Sequence, residues 1–311
     1  MPERLFLFLQ LEFPWELGPP DGRYLLRTRG ASGPEAETAA PERVVVLNTL
    51  GAPRRASTGR GTIALPGVPR RARRARETTP DAAPVSTARA TIVDPVPLSA
   101  ERQAQAWLGE IDAERETHAA ISVLNRVLFA HRIASADPHT HEVSPAQALV
   151  IRAGWGEGEQ VADGHWLHAL ELPWVPSSRA RRRVAALRPQ ERLAELLGAR
   201  GEELLCEELA LRARLDLDHG RLPHAAIELD AAIAAALGEL GGESRPGLAP
   251  RLDELRSLHA GVTAVARGAL PTGAAAAEDV AAEPDEAVIR HALERLEAAL
   301  RARTAAGFAR S

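Results

Sequence analysis

The sequence predicts an α+β protein, predominantly α-helical, in which a small N-terminal β-sheet is followed by a helical bundle or stacked helical hairpins. Three observations predict this. Short apolar runs of strand type crowd residues 1–96, whereas after 97 the apolar residues recur at helical spacing. The hydrophobic fraction is 45%, which is enough for a core. Aromatics make up only 4%, so that core is largely Ala and Leu. Ala is the strongest helix former and lets helix axes approach, which favours close-packed helices.

The sheet elements come first. "RLFLFLQLEFPW" (4–15) is short, apolar and aromatic, as a buried strand should be. "PPDG" (19–22) signals a turn before a second strand at 23–29. The Val-rich 43–50 and "RATIVDPV" (89–96) are the third and fourth candidates. Between them, 51–88 is rich in Pro, Gly, Thr and Arg and poor in apolar residues. It cannot bury enough surface to offset its ordering entropy, so a disordered Arg/Pro-rich insertion is expected there. A shorter loop is expected at 30–42. This divides the chain into a small β region at 1–96 and a helical region at 97–311, with a linker at 270–284.

Ser99 is positioned to cap a long helix ending near Ala136, before Asp137-Pro138. Trp107, Ile111, Glu114, His118, Ile121, Asn125 and Leu128 follow a 4-3-4-3-4-3 spacing and share one face of it. In "SPAQALVIRAGWG" (144–156), Ser144, Pro145 and Gln147 form a capping-box pattern, so 146–156 reads as helix. A strand is the alternative, since Val, Ile and Trp suit one. A short helix or irregular segment follows at 156–174. Later helices are expected at 189–199, 202–218, 223–240, 249–269 and after the linker, each with an apolar seam that needs a partner.

Within "EELALRARLDLDHGRLPHAAIELDAAIAAAL", Gly220 sits at a turn, Leu222 follows it, and Ala225 and Ala226 precede "IELDAAI". This stretch, 203–238, resembles a tetratricopeptide (TPR) hairpin. The family's early aromatic positions are absent, the spacing after Gly220 is one residue long, and no second copy recurs at a 34-residue period. The resemblance covers about a tenth of the chain and implies an interaction surface if neighbouring helices stack likewise.

Charge and cysteine content exclude several functions. The net charge of −4 gives no global attraction to nucleic acid or acidic membranes. Cys206 is the only cysteine, so no intrachain disulfide or thiolate metal cluster can form. It lies in an apolar helical pattern and reads as core. The run Leu5–Leu9 is too short to span a membrane and no small-residue cleavage site follows it, so the protein is expected to be cytoplasmic.

Four features could carry chemistry. Asp137, His139, His141 and Glu142 fall within "DPHTHEVSP" (137–145). His-x-His can place two imidazoles on one side of an extended segment, which with carboxylates would suit a divalent transition metal. The alternative is a solvated connector between two helices. Glu114 and His118, at i and i+4, could be an acid–base pair, a buried structural pair or an exposed one. Gly154, Gly156 and Gly158 alternate as in loops that approach phosphates, but Glu157 and Glu159 would repel one and no P-loop Lys is present. Residues 54–89 hold nine arginines against Glu77 and Asp81, a net of +7. Arg70, Arg71, Arg73, Arg74 and Arg76 are therefore candidate polyanion contacts. All 38 basic residues are Arg, which reflects coding bias, and no aromatic interleaves with this cluster.

The expected function is therefore non-enzymatic protein–protein interaction, as a scaffold or adaptor, with no cofactor and with self-association through the helix seams as a possibility. The alternative is a metal-dependent enzyme or metal-binding protein using the His139/His141 loop. The third is polyanion or nucleic-acid binding through the arginine loop. A membrane is not an expected partner.

Overall fold

The structure is a computed structural model and describes residues 4–27, 41–51, 86–176, 182, 184–185, 187–245, 247–270 and 284–307. Most of the expected insertion at 51–88 and of the linker at 270–284 lies outside them. The chain forms two compact units, Met1–Val175 and Pro176–Ser311. Residues 97–175, grouped by sequence with the helical region, thus pack with the sheet.

Among the described residues of the first unit six strands form one sheet: β1 (Leu5–Phe13), β2 (Gly22–Leu26), β3 (Arg43–Leu50), β4 (Thr87–Val93), β5 (Val150–Glu157) and β6 (His168–Glu171). Their order is β2-β3-β4-β1-β5-β6, with every neighbouring pair antiparallel. β1 is central and covered on both faces, which is why its sequence is almost continuously apolar. Leu5, Leu9, Leu11 and Phe13 point into the main core with Val45, Leu47, Ala90, Ile92 and Trp155. Phe8 points the other way, into a smaller cluster with Val44, Val93 and Val161. β4 and β5 flank β1 and run parallel to each other, so their connection must cross over one face. Helices α1 (Glu101–Gly109) and α2 (Ala113–Ser135) make that crossover and cover the main core.

Two expectations about this connection are corrected. The single helix from Ser99 is broken. α1 starts after Ala100 and ends at Gly109, and Asp112 caps a new helix by accepting from Arg115 N at 3.1 Å. The helix expected over 146–156 is β5. Its capping pattern forms, with Ser144 N donating to Gln147 Oε1 at 2.8 Å, but yields only one 3-10 turn, Pro145–Gln147. Val150–Glu157 then pairs along eight residues of β1. An open edge of the central strand outweighs a local helix start, and β-branched and Gly residues favour the outcome.

The second unit is helical: α3 (Pro189–Leu197), α4 (Leu205–Asp218), α5 (Leu222–Glu239), α6 (Ala249–Gly268) and α7 (Glu286–Gly307). α4 and α5 form the expected antiparallel hairpin, with Gly220 at φ +65° in its turn. Asp216 and Arg221, both buried, form an ion pair across that turn. α7 packs against α4, α5 and α6, so α4–α7 close into a bundle around one Ala/Leu core. An open, stacked array is not what forms. Leu204 cannot cap α4; the Glu239 carboxylate at the far end of α5 does so instead, accepting from Leu205 N at 3.0 Å and Cys206 N at 3.1 Å.

Candidate functional site

The sequence candidates are dispersed by the fold. After α2, Asp137 turns back on its own loop: Oδ1 accepts from His139 N at 2.9 Å and Oδ2 from Thr140 Oγ1 at 3.2 Å. These bonds, the backbone one first, hold its carboxyl below the usual range. His139 and His141 are exposed, and the residue between them, Thr140, is the buried one. Thr140 packs against Gly18, where a Cβ would stand 3.2 Å from its hydroxyl. The register of this loop therefore serves Thr140, and the two imidazoles are left in solvent. Among the described residues no group of three or more His, Cys, Asp or Glu side chains is placed to hold a metal ion.

Glu114 and His118 are exposed as well. His118 Nδ1 donates to the Glu114 backbone carbonyl at 2.8 Å, and its ring meets Trp174 edge-on at 5.0 Å. Burial along α2 begins at Thr117 and runs through Ala120, Ile121, Leu124, Asn125, Val127 and Leu128. The expected face is thus correct for Ile121, Asn125 and Leu128 and fails at Glu114 and His118, which lie in the same helix but stay exposed. A Cβ at Gly18 would meet both Thr140 and His131, so Thr140 lies level with His131, roughly 20 Å along the axis from His118, while the end of the loop returns to Asn125 through Val143.

The alternating glycines serve backbone packing. Gly154 and Gly156 lie on the face of β5 under the segment 158–169. A Cβ at Gly154 would stand 2.2 Å from the His168 carbonyl, and one at Gly156 2.7 Å from Val161. Gly158 starts the 3-10 turn Gly158–Asp163 at φ +59°. On the same sheet face Glu12 accepts from Arg89 Nη2 and Arg152 Nη1, each at 3.0 Å, an ion-pair cluster across three strands. Cys206 is fully buried; burial first and Glu239 next push its thiol up to about 12, so it is no nucleophile. Arg70, Arg71, Arg73, Arg74 and Arg76 lie outside the described residues.

The feature that sequence reasoning missed lies in the helical unit. α3 is amphipathic, with Leu193, Leu196 and Leu197 at helical spacing, yet it buries none of its residues. An apolar stripe of this kind normally has cover. Leu193 is 48% exposed, and Leu211 of α4, on the same groove, is 68% exposed. Together with Leu187, Leu196 and Leu300 they line an open apolar groove of about 570 Å³. Its rim carries charges of both signs. Arg192 pairs with Glu207 at 3.2 Å on one side, and Arg301 with Glu297 at 3.5 Å on the other. The signal was in the sequence, since α3 has three leucines in nine residues, but periodicity does not say whether a stripe is covered.

A polar cavity of about 360 Å³ adjoins the groove and shares Arg192 and Thr304 with it. Arg192, Arg200, Arg245 and Arg303 line it, with Glu195 and Glu202. Glu207 sits between Arg192 (3.2 Å) and Arg303 (3.5 Å). Glu243 sits between Arg303 (2.8 Å) and Arg245 (2.6 Å). Gly201 makes room for this arrangement, because a Cβ there would come within 2.8 Å of an Arg192 nitrogen. Arg200 follows the C-terminus of α3 and has no ion-pair partner among the described residues. No helix among the described residues is long and apolar enough to cross a membrane.

Comparison of the chain with protein-family models, with curated proteins and with solved structures gives no match.

Proposed function

We propose that the protein is a protein–protein interaction module whose helical unit docks an amphipathic helix of a partner in the apolar groove. The observation that carries this reading is α3, an amphipathic helix with no buried residue, whose Leu193 and Leu196 line the groove with Leu211 and Leu300. Apolar stripes are stable when covered, and a groove between helices is a recurrent seat for a helix read through residues at i, i+3, i+4 and i+7. The rim of opposed charges around an apolar floor has the anatomy of an interface, and it complements a helix whose flanks carry both signs. The exposed metal-loop histidines and the exposed Glu114/His118 pair lend no comparable support to the enzymatic alternative.

Selection of displayed random helical peptides on the full chain tests this. Enriched peptides should carry bulky apolar residues at helical spacing, and Leu211→Glu, at an exposed position, should weaken them at least tenfold while leaving the fold intact. Enrichment indifferent to Leu211→Glu would overturn the reading. So would a concentration-dependent dimer, seen by sedimentation, that Leu211→Glu abolishes, since the groove would then serve a second copy of this chain.

A further inference from the structure

We infer that α3 is a hinged jaw of the groove, latched to α4 through Arg192, that opens independently of the bundle and is locked by the docked helix; this rests on the docking reading above. No α3 side chain is buried, and none belongs to the Ala/Leu core that joins α4 to α7. Among the described residues, the polar contacts that α3 side chains make outside their own helix all come from Arg192. It pairs with Glu207 of α4 at 3.2 Å and donates to the Glu202 carbonyl at 2.9 Å. The Arg192 side chain is 20% exposed and that of Glu207 27%, so the pair still meets solvent and is a weak tether. α3 has nine residues, and an isolated helix of that length is marginal in water, so it does not hold itself once the tether lets go. The link to α4 contains Gly198, Gly201 and, at φ +51°, Ala199, three small residues able to absorb a change of backbone direction. Segments with few buried apolar contacts open at a small fraction of the free energy of global unfolding. A helix seated between α3 and the Ala210–Leu211 face of α4 covers Leu193 and Leu196 and supplies the apolar contacts that α3 lacks. Binding therefore shifts the jaw to its closed state, and Arg192 sets how much of the free chain is closed beforehand.

Hydrogen exchange on the full chain, followed by mass spectrometry, provides the test. In the free chain the amides from Arg192 to Gly198 should exchange about a hundredfold faster than those in the middle of α4 and α5. A saturating concentration of a peptide selected above should slow them about tenfold. Arg192→Gln should speed them several-fold in the free chain and leave exchange in α5 and α6 unchanged, which separates loss of the latch from loss of the fold. Exchange in α3 as slow as in α4, exchange unchanged by a bound peptide, or exchange unchanged by Arg192→Gln would overturn this inference while leaving the groove reading standing. Failure to enrich any peptide sensitive to Leu211→Glu removes the groove reading, and the locking step with it, whereas exchange in the free chain still reports whether α3 opens.

Discussion

Asn125 and Val143 exchange two hydrogen bonds, both 2.8 Å long: Asn125 Nδ2 donates to the Val143 carbonyl and Val143 N donates to Asn125 Oδ1. A primary amide copies the pattern of a peptide group, so one side chain on α2 holds the loop after it as a neighbouring strand would. Asn125 is fully buried and Val143 nearly so. Water cannot replace either bond.

Asn125→Ala should therefore destabilise the fold by about 2–4 kcal/mol, since it strands a buried N–H and a buried C=O. Asn125→Leu, though apolar, should be no better for the same reason. Urea unfolding followed by circular dichroism reads the difference. A loss below about 0.5 kcal/mol would show that the loop is held by something else.

Gly154→Ala should be among the most damaging glycine substitutions, because its methyl would meet the His168 backbone, which cannot move without breaking the β5–β6 pairing. A loss of about 2 kcal/mol or more is expected. Gly22→Ala is the control, since nothing lies within 4 Å of a Cβ there. Melting temperatures of the two variants should differ clearly, and similar values would remove the packing explanation.

Burial first, then the charge of Asp216, raises Glu228 to about 7 from its ordinary 4.5. The folded protein therefore holds this proton more tightly than the unfolded chain. Below about pH 4.5 the group is protonated in both states. From there to about pH 7 ionisation penalises the folded state, so stability falls as pH rises and the penalty is complete above 7. Glu228→Gln should be more stable than the wild type at pH 8, by on the order of 1 kcal/mol after solvent screening. The gain should shrink through pH 6 and vanish near pH 4. A gain independent of pH would mean that charge is not the cause.

Cys206 should resist alkylation. With its thiol pushed up to about 12 and no exposed surface, iodoacetamide at pH 8 should modify it only through unfolding. Labelling should be slow in buffer and complete in urea. Rapid labelling of the folded protein would contradict the burial.

Much of the fold was legible because the signals are local. The run Leu5–Phe13, the Val-rich 43–50 and the apolar seams of α4 to α7 each declare their element from a few neighbouring residues. The candidate site was much less so. Asp137, His139, His141 and Glu142 are adjacent in sequence, but metal binding needs convergence, and Thr140 takes the inward position between the histidines. Glu114 and His118 sit on the expected helix face, yet the buried positions around them are Thr117, Ala120 and Ile121, and both stay exposed at the margin of that stripe. Leu193 and Leu211 look like core residues by spacing, yet the structure leaves both exposed.

By itself the sequence determined the class and the order of its parts: an α+β chain, mainly helical, opening with strands and ending in helices, with Gly220 turning one helical hairpin and Ala and Leu forming its core. Helix propensity, capping and side-chain period act within a few residues, so a linear reading captures them. Tertiary structure alone decided that 150–157 is a strand, because β1 had an unpaired edge whose ladder outweighs one capped turn. It also decided that Gly154 and Gly156 serve backbone contact with the segment above them, that α4–α7 close on themselves, and that α3 keeps an apolar stripe beside a cluster of arginines. Each of these depends on which surface a residue meets, and that is set by segments distant in the chain.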